Sequence, residues 1–385
     1  MIHYYLGYLY QQTQMPDKAK KYLQLASQMP TDYCFPFRHE SISVLNRAIR
    51  NNPSDSRASY YLGNLLYDIQ PERAIEHWER AAALDPKFAL VYRNLGWGYF
   101  RQKDDSKKAI ESYEKAISLN NTDPTYYIEL DELYNRANTP VSKRLKLLED
   151  NNELVTSYKP LLVRKISLLV KMNQYDEAID LLGNNRFYTS EGGGQLLHTA
   201  HVDSRLLSGL RYMKHKQYSK ALQDFLTAKE YPENLSLLIP RQEKRSAQIF
   251  YHIASAYTAL KDQKNAEKFY NKTINLYVPD RWPDARFYQA MALRELGQNE
   301  KASMIFDELV ANATENLSGG EEIDFFAKFG GQESRQAQKA DTHYALGLGL
   351  LGQGQIQKAK AQFKQAIKLS VGHIWAKYQY TEYTG

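Results

Sequence analysis

The chain repeats itself. A Leu-Gly pair recurs as Leu6-Gly7, Leu62-Gly63, Leu95-Gly96 and Leu346-Gly347, with Ile253-Ala254 and Gln289-Ala290 as variants. Thirteen residues beyond its first member stands Ala19, Ala266, Ala302 or Ala359, with Ala74 one position early and Ala109 one late. Four residues on comes a large side chain, Leu23, Trp78, Tyr113, Tyr270, Phe306 or Phe363. Ala26, Ala81, Ala116 and Ala366 follow three residues later, and Pro30, Pro53, Pro86 and Pro232 mark the turns beyond. Small, large and small residues at i, i+4 and i+7 share one helical face, and a glycine on the preceding helix lets that face come close. Each unit is a helix hairpin that cannot bury its apolar face alone, so neighbours must stack. The expected fold is all-α, a right-handed superhelical solenoid of about nine hairpins, with a concave surface lined by the first helices.

This pattern resembles the tetratricopeptide repeat family, most closely over Tyr60-Tyr61-Leu62-Gly63-Asn64 through Ala74, Trp78, Ala81 and Pro86. Laid along the chain, it places repeats at about 1–31, 57–88, 89–122, 204–234, 247–278, 284–311 and 340–372, with weaker pairs at 124–150 and 160–183. Residues 36–53 read as a lone second helix. The helical period stops over 184–203, which carries Gly192-Gly193-Gly194, and over 312–339, which carries Phe325-Phe326. The expected organisation is therefore an N-terminal array at 1–183, a glycine-rich insertion at 184–203, and a C-terminal array at 204–385 containing the 312–339 loop.

The first Leu-Gly pair follows Met1 almost at once, without a polar capping helix, so the chain reads as the C-terminal part of a longer polypeptide. Three short runs, Glu191 to Leu197, Tyr231 to Leu235 and Gln332 to Gln338, resemble the C-terminal array of large bacterial proteins. In those proteins a mutarotase-like β-sandwich of uncertain function precedes the repeats. The resemblance covers roughly residues 35–372 and implies a carbohydrate-related setting.

Composition narrows the function. There are 50 Lys+Arg against 44 Asp+Glu, interspersed, so no basic stripe tracks a phosphate backbone and nucleic acid is not an expected partner. No run approaches the roughly 18 apolar residues of a membrane span. Without a signal peptide in view, the expected compartment is the cytoplasm. The single cysteine, Cys34, excludes an intrachain disulfide, and no basic neighbour stands beside it to activate the thiol. The 30 tyrosines, set against only 13 prolines, suggest long helices packed through aromatic rings.

Chemistry-bearing motifs are few. His198, His201 and Asp203 are spaced so that two imidazoles share a helical face, as a metal site needs, but the same spacing suits a packed helix start, which is the reading adopted. His252 and His343 fall within first helices and read as packed or groove-lining. Glu321, Glu322 and Asp324 lack the alternating oxygen ligands of a calcium loop. The chain contains no phosphate-binding loop, no nucleophile elbow and no His-Glu-x-x-His. The expectation is a non-enzymatic protein without cofactor or metal.

What remains is the concave face. Counting two residues before each Leu-Gly pair gives Tyr4, Tyr60, Arg93, Tyr251, Phe287 and Tyr344; counting two after it gives Asn64, Trp97, Ser255 and Met291. Aromatic area with interspersed amides and a guanidinium suits an extended peptide. The candidate binding residues are Tyr60, Asn64, Arg93, Asn94, Trp97, Tyr251, Phe287 and Tyr344. Asn64 and Asn94 are read as matching positions of adjacent repeats. Some family members clamp a C-terminal carboxylate with lysines, whereas here Tyr4 and Tyr60 stand at those places. The expected partner is a protein or peptide, which includes another domain of the same polypeptide. The alternative is an accessory module of a carbohydrate-active protein, contacting it through the Gly192–Gly194 and Phe325–Phe326 loops.

Overall fold

The computed structural model describes residues 1–32, 34–188, 194–236, 244–279, 282–319 and 335–383, and the regular elements among them are helices. They pack as two compact units, Met1–Ala137 and Asn138–Gly385.

The first unit contains α1 (Ile2–Gln12), α2 (Pro16–Gln28), α3 (Glu40–Asn51), α4 (Ser56–Leu66), α5 (Pro71–Leu84), α6 (Ala89–Lys103), α7 (Ser106–Leu119) and α8 (Pro124–Arg136). Helices α1–α2, α4–α5 and α6–α7 are hairpins, and α8 packs on α7. The lone helix expected at 36–53 is α3, which packs against α1 and α4 and buries Val44, Leu45, Ala48 and Ile49.

The second unit contains α9 (Val141–Glu149), α10 (Asn152–Ser157), α11 (Lys159–Lys171), α12 (Tyr175–Gly183), α13 (Gly194–Lys214), α14 (Tyr218–Ala228), α15 (Ser246–Ala259), α16 (Gln263–Ile274), α17 (Pro283–Glu295), α18 (Asn299–Ser318), α19 (Arg335–Gly352), α20 (Ile356–Leu369) and α21 (Ile374–Glu382). Helices α11 to α20 form five successive hairpins; α9 and α10 pack on α11, and α21 packs on α20.

The repeated small–large pattern is the closest contact in these hairpins. A methyl group placed on Gly63 would stand 2.5 Å from the Trp78 ring, one on Gly96 2.4 Å from Tyr113, and one on Gly347 2.4 Å from Phe363. The same contact joins Gly209 of α13 to Phe225 of α14, at 2.3 Å. These glycines are conformationally ordinary and are required for space alone, since any Cβ would push the second helix away.

Helix ends follow local chemistry. Pro16, Pro71, Pro124 and Pro283 occupy first-turn positions where no amide donor is needed. Asp55, Asp105, Asp123 and Asp262 accept backbone amides as N-caps. The turn inside the hairpins has a recurring left-handed residue: Gln14, Asp104, Asn173, Lys216, Lys261, Gly297 and Gly354 all have positive φ. Gly297 and Gly354, and to a lesser degree Asn173 and Asp104, are of types that conformation favours, so glycine marks only two of these seven turns.

Three boundaries differ from the sequence reading. Helix α13 begins at Gly194, so 194–203 belongs to a helix of 21 residues rather than to an insertion. Leu197, Ala200, His201 and Ser204 are buried at i, i+3, i+4 and i+7, a period hidden by the polar identities of two of them. At 312–339, α18 runs on to Ser318 and α19 starts at Arg335, while 320–334 lies outside the described residues. Packing divides the chain at Ala137, whereas the sequence reading groups 124–150 as one pair within a 1–183 array.

Candidate functional site

In the first unit the first helices α4, α6 and α8 are joined by a ladder of polar side chains. Asn64 of α4 accepts from the Trp78 indole at 2.9 Å and from Asn94 Nδ2 of α6, also at 2.9 Å. Both bonds fall on Asn64 Oδ1, which fixes the orientation of its amide and turns Nδ2 away from them. Arg93 of α6 donates through Nη1 to Asn94 at 3.3 Å and through Nε to Glu129 of α8 at 2.8 Å, with a second bond from Nη2 to the same carboxylate. Burial pushes the Tyr60 phenol up, while the nearby Asn64 and Asn94 amides and the Arg93 charge moderate the rise. Trp97 is half-buried on α6, with the Arg101 guanidinium 5.1 Å from its ring centre.

Asn64 and Asn94 are not equivalent positions: one stands two residues after Leu62, the other one residue before Leu95. The offset of three is close to one helical turn, and it is what lets the two amides meet across adjacent first helices. Asn64, Arg93, Asn94 and Trp97 are half-buried and therefore reachable. Tyr60 is only 6% exposed and rests on Tyr61 and Phe88, so it contributes mainly packing to this face.

The second unit buries the corresponding residues much as Tyr60 is buried. Phe287 and Tyr344 are buried, Phe287 against Tyr288 and Phe306, and Tyr344 against Phe363 and His373. Tyr251 lies among Tyr270, Tyr288 and His252. First helices touch directly here, α11 on α13, α15 on α17 and α17 on α19, and α21 packs on α20 and bonds to α13. The Trp375 indole of α21 donates to Asp203 of α13 at 3.1 Å, and Arg245, at the start of α15, lies 4.8 Å from the Trp375 ring centre. Arg245 also pairs with Asp203 at 3.3 Å and with Asp284 of α17.

This arrangement accounts for the His198, His201 and Asp203 run. His198 stacks on Tyr231 with ring centres 5.4 Å apart, and His201 Nε2 lies 3.2 Å from the Thr227 carbonyl. Asp203 faces Arg245 and Trp375. The three side chains turn to separate partners, as the packed reading of this segment requires. Burial pushes His201 down to about 4 and His252 down to about 3, so both imidazoles are neutral at pH 7. The short Tyr231 to Leu235 run also has a structural role: Asn234 Nδ2 donates to the Leu182 and Asn185 carbonyls, and its own carbonyl accepts from Phe187. The Gly192-Gly193 pair, Glu321, Glu322, Asp324 and Phe325-Phe326 lie outside the described residues.

Three family models, each described as Tetratricopeptide repeat, match this chain: one over residues 70–124, one over 2–32, 247–277 and 340–370, and one over 284–314. Tetratricopeptide repeats are detected in these segments. Tetratricopeptide hairpins thus occur in both units, and α13–α14 shows the same glycine–aromatic contact. Solved structures that the chain resembles include YrrB, a TPR protein with an unusual peptide-binding site, at 18% identity over 60% of this chain and 91% of YrrB (TM-score 0.26). Another is the Naa15/Naa10 complex bound to HypK-THB, at 12% identity over 90% of this chain and 63% of the matched one (TM-score 0.43). The human IFIT1 dimer with m7Gppp-AAAA is matched at 14% identity over 94% and 80% (TM-score 0.33). At these identities the likeness is one of fold. No helix among the described residues is long and apolar enough to cross a membrane.

Proposed function

We propose that the chain is a non-enzymatic scaffold whose first unit binds an extended peptide segment across α4, α6 and α8. The observation that carries this reading is the Asn64–Asn94–Arg93–Glu129 ladder, half-buried on successive first helices. An amide side chain carries both donor and acceptor groups, as a peptide backbone does, and so can recognise main chain without demanding a particular sequence. Arg93, already held by Glu129, is pre-organised to meet a ligand carbonyl or carboxylate. Trp97 adds apolar area beside it. The ligand is a protein segment, including one from another domain of the same polypeptide. The mutarotase-like context implied by the short bacterial motifs belongs to the same proposal and rests on that resemblance alone.

The test is selection from a random peptide library displayed on phage, using the unaltered chain and the Asn94→Ala and Trp97→Ala variants. The unaltered chain should enrich a shared peptide motif, and the variants should lose most of that enrichment while melting within a few degrees of it. Equal enrichment by all three proteins would remove the ladder as the binding surface.

A further inference from the structure

A cleft of about 360 Å³ opens in the second unit between the starts of α15, α17 and α21, the C-terminal part of α18 and the first half of α19. That volume falls in the range of small-molecule sites, roughly 300–1,000 Å³. The charged groups that line it answer one another. Arg245 pairs with Asp284, and His373 Nε2 lies 3.1 Å from Asp341 Oδ1, close but out of line for a good hydrogen bond. Two cations, Lys244 and Arg245, stand against two carboxylates, Asp284 and Asp341. An anion entering the cleft would meet both carboxylates, and a cation would meet both basic groups, so the lining favours neither.

What the ion pairs leave over is neutral and polar. Tyr344 lines the cleft and is 5% exposed, yet its hydroxyl makes no hydrogen bond among the described residues. A buried hydroxyl without a partner costs about 1–3 kcal/mol, and a ligand group in the cleft can remove that cost. The amides of Asn312 and Asn316 stand one turn apart on one face of α18, exposed and without a partner among the described residues. Each amide both donates and accepts, and the phenol can do either. His373 Nδ1 accepts from the Ala376 amide at 3.1 Å, so the ring proton stands on Nε2 as a further donor. The buried Leu309 and Ala313 add an apolar wall.

We propose that this cleft binds a neutral polyhydroxylated ligand, a mono- or disaccharide. Each sugar hydroxyl both donates and accepts, which suits a lining of amides, a phenol and paired carboxylates with spare lone pairs. The C–H face of a sugar ring suits Leu309 and Ala313. An extended peptide fits less well, because its donors and acceptors alternate along a line, whereas these groups surround a pocket from α18, α19 and α21. Helix α21 stays in place and supplies part of the wall through His373 and Trp375. This site is separate from the peptide-binding face assigned to the first unit, and either assignment can fail without the other.

The probes are glucose, galactose, mannose, N-acetylglucosamine, maltose and lactose, each added at millimolar concentration to the full chain and followed by saturation-transfer NMR. At least one should bind saturably, and glycine, acetate and phosphate should not displace it. A chain carrying both Asn312→Ala and Asn316→Ala, two exposed positions, should bind that sugar at least about tenfold more weakly. Tyr344→Phe should weaken it by a similar factor while its melting temperature stays level or rises, because the variant also removes the buried hydroxyl without a partner. A Tyr344 that is only structural would move the melting temperature and leave sugar binding alone, which counts against the site. Absence of saturable binding by all of these sugars would overturn the proposal, as would unchanged binding by the double asparagine variant. Displacement by acetate or phosphate would overturn it in favour of an anion site.

Discussion

The two units use one repeat template and join their first helices by different chemistry. In the first, the connecting bonds are between neighbours: Asn94 to Asn64 spans 30 residues and Arg93 to Glu129 spans 36, about one repeat each. In the second, bonds of 168 to 233 residues tie α21 and its approach to Lys214, Asp203 and Asn138. Neighbour bonds follow the stacking of successive repeats, whereas the long-range bonds show that the end of the second unit packs against its earlier helices. The glycine–aromatic contacts are common to both units, so hairpin geometry alone does not decide which outcome follows. The difference lies in a few polar residues on the first helices.

The sharpest way to break this comparison is to remove the arginine that each unit places on its inner face. Arg245 stands between two buried carboxylates, Asp203 and Asp284. Arg245→Ala would leave both without their cation and should destabilise the second unit by about 3–5 kcal/mol. Arg93→Ala removes a partly exposed pair, with side-chain exposures of 32% and 17%, and should cost under about 1 kcal/mol. Denaturant titration with tryptophan fluorescence reads each unit, because Trp78 and Trp97 report the first and Trp282 and Trp375 the second. Equal losses from the two substitutions would erase the contrast.

Acid should separate the units next. His201 and His252 are depressed by burial to about 4 and about 3, so the fold accommodates their neutral forms. Their contribution is fully present above the ordinary histidine value near 6.5, and it is lost as pH falls from there toward the folded values. Each should take away about 3 kcal/mol between pH 6.5 and pH 4. Asp203 shifts the opposite way, raised by its desolvation against the opposing charge of Arg245, and so favours the fold as pH falls. The measurement is therefore the difference between the unaltered chain and His252→Phe, which sets a ring among Phe225, Tyr251 and Tyr288 without a titrating nitrogen. Its melting temperature should fall less on acidification; parallel pH curves would mean His252 is not the acid-sensitive group.

A substitution at the shared template should affect both units alike. Gly96→Ala and Gly347→Ala each press a methyl group onto a ring, Tyr113 or Phe363, and should each destabilise by about 1–3 kcal/mol. A small effect at one and a large effect at the other would show that the hairpins differ in more than their inner faces.

The hairpins were legible in the sequence because a steric requirement leaves a residue signature: glycine opposite an aromatic ring at fixed spacing. The ladder was partly legible, since Asn64 and Arg93 are recovered by counting two residues from the Leu-Gly pairs and Asn94 stands next to Arg93. Glu129, which fixes Arg93, was missed because the α8 repeat lacks that pair and gave no point to count from. The burial of Phe287 and Tyr344 was not legible either. It follows from the neighbouring aromatic rings, Tyr288 and Phe306 around Phe287, Phe363 and His373 around Tyr344, and Tyr4 and Tyr60 are buried at the same position in the first unit. The contact of α21 with α13, between residues 172 apart, is likewise one that no periodic pattern encodes. Asp203 and Trp375 could have been paired only by a signal that links distant positions directly.

The smallest effect concerns the turns, where the two units again share one geometry. Lys216 and Lys261 hold φ of 60° and 65° between the helices of their hairpins, and Asp104 holds 49°. For a residue with a Cβ this conformation costs about 1–2 kcal/mol relative to the right-handed region, and glycine escapes the penalty while losing more freedom on folding. At Gly297 and Gly354 the same turn is already made by glycine, with φ of 77° and 76°. Lys261→Gly should therefore stabilise the second unit by no more than about 1 kcal/mol, and Asp104→Gly should do the same for the first, less whatever the aspartate side chain contributes locally. A matched rise in melting temperature of a few degrees in both variants would place the units' difference on their inner faces; destabilisation by Lys261→Gly would mean that the lysine side chain, rather than its backbone, holds the turn.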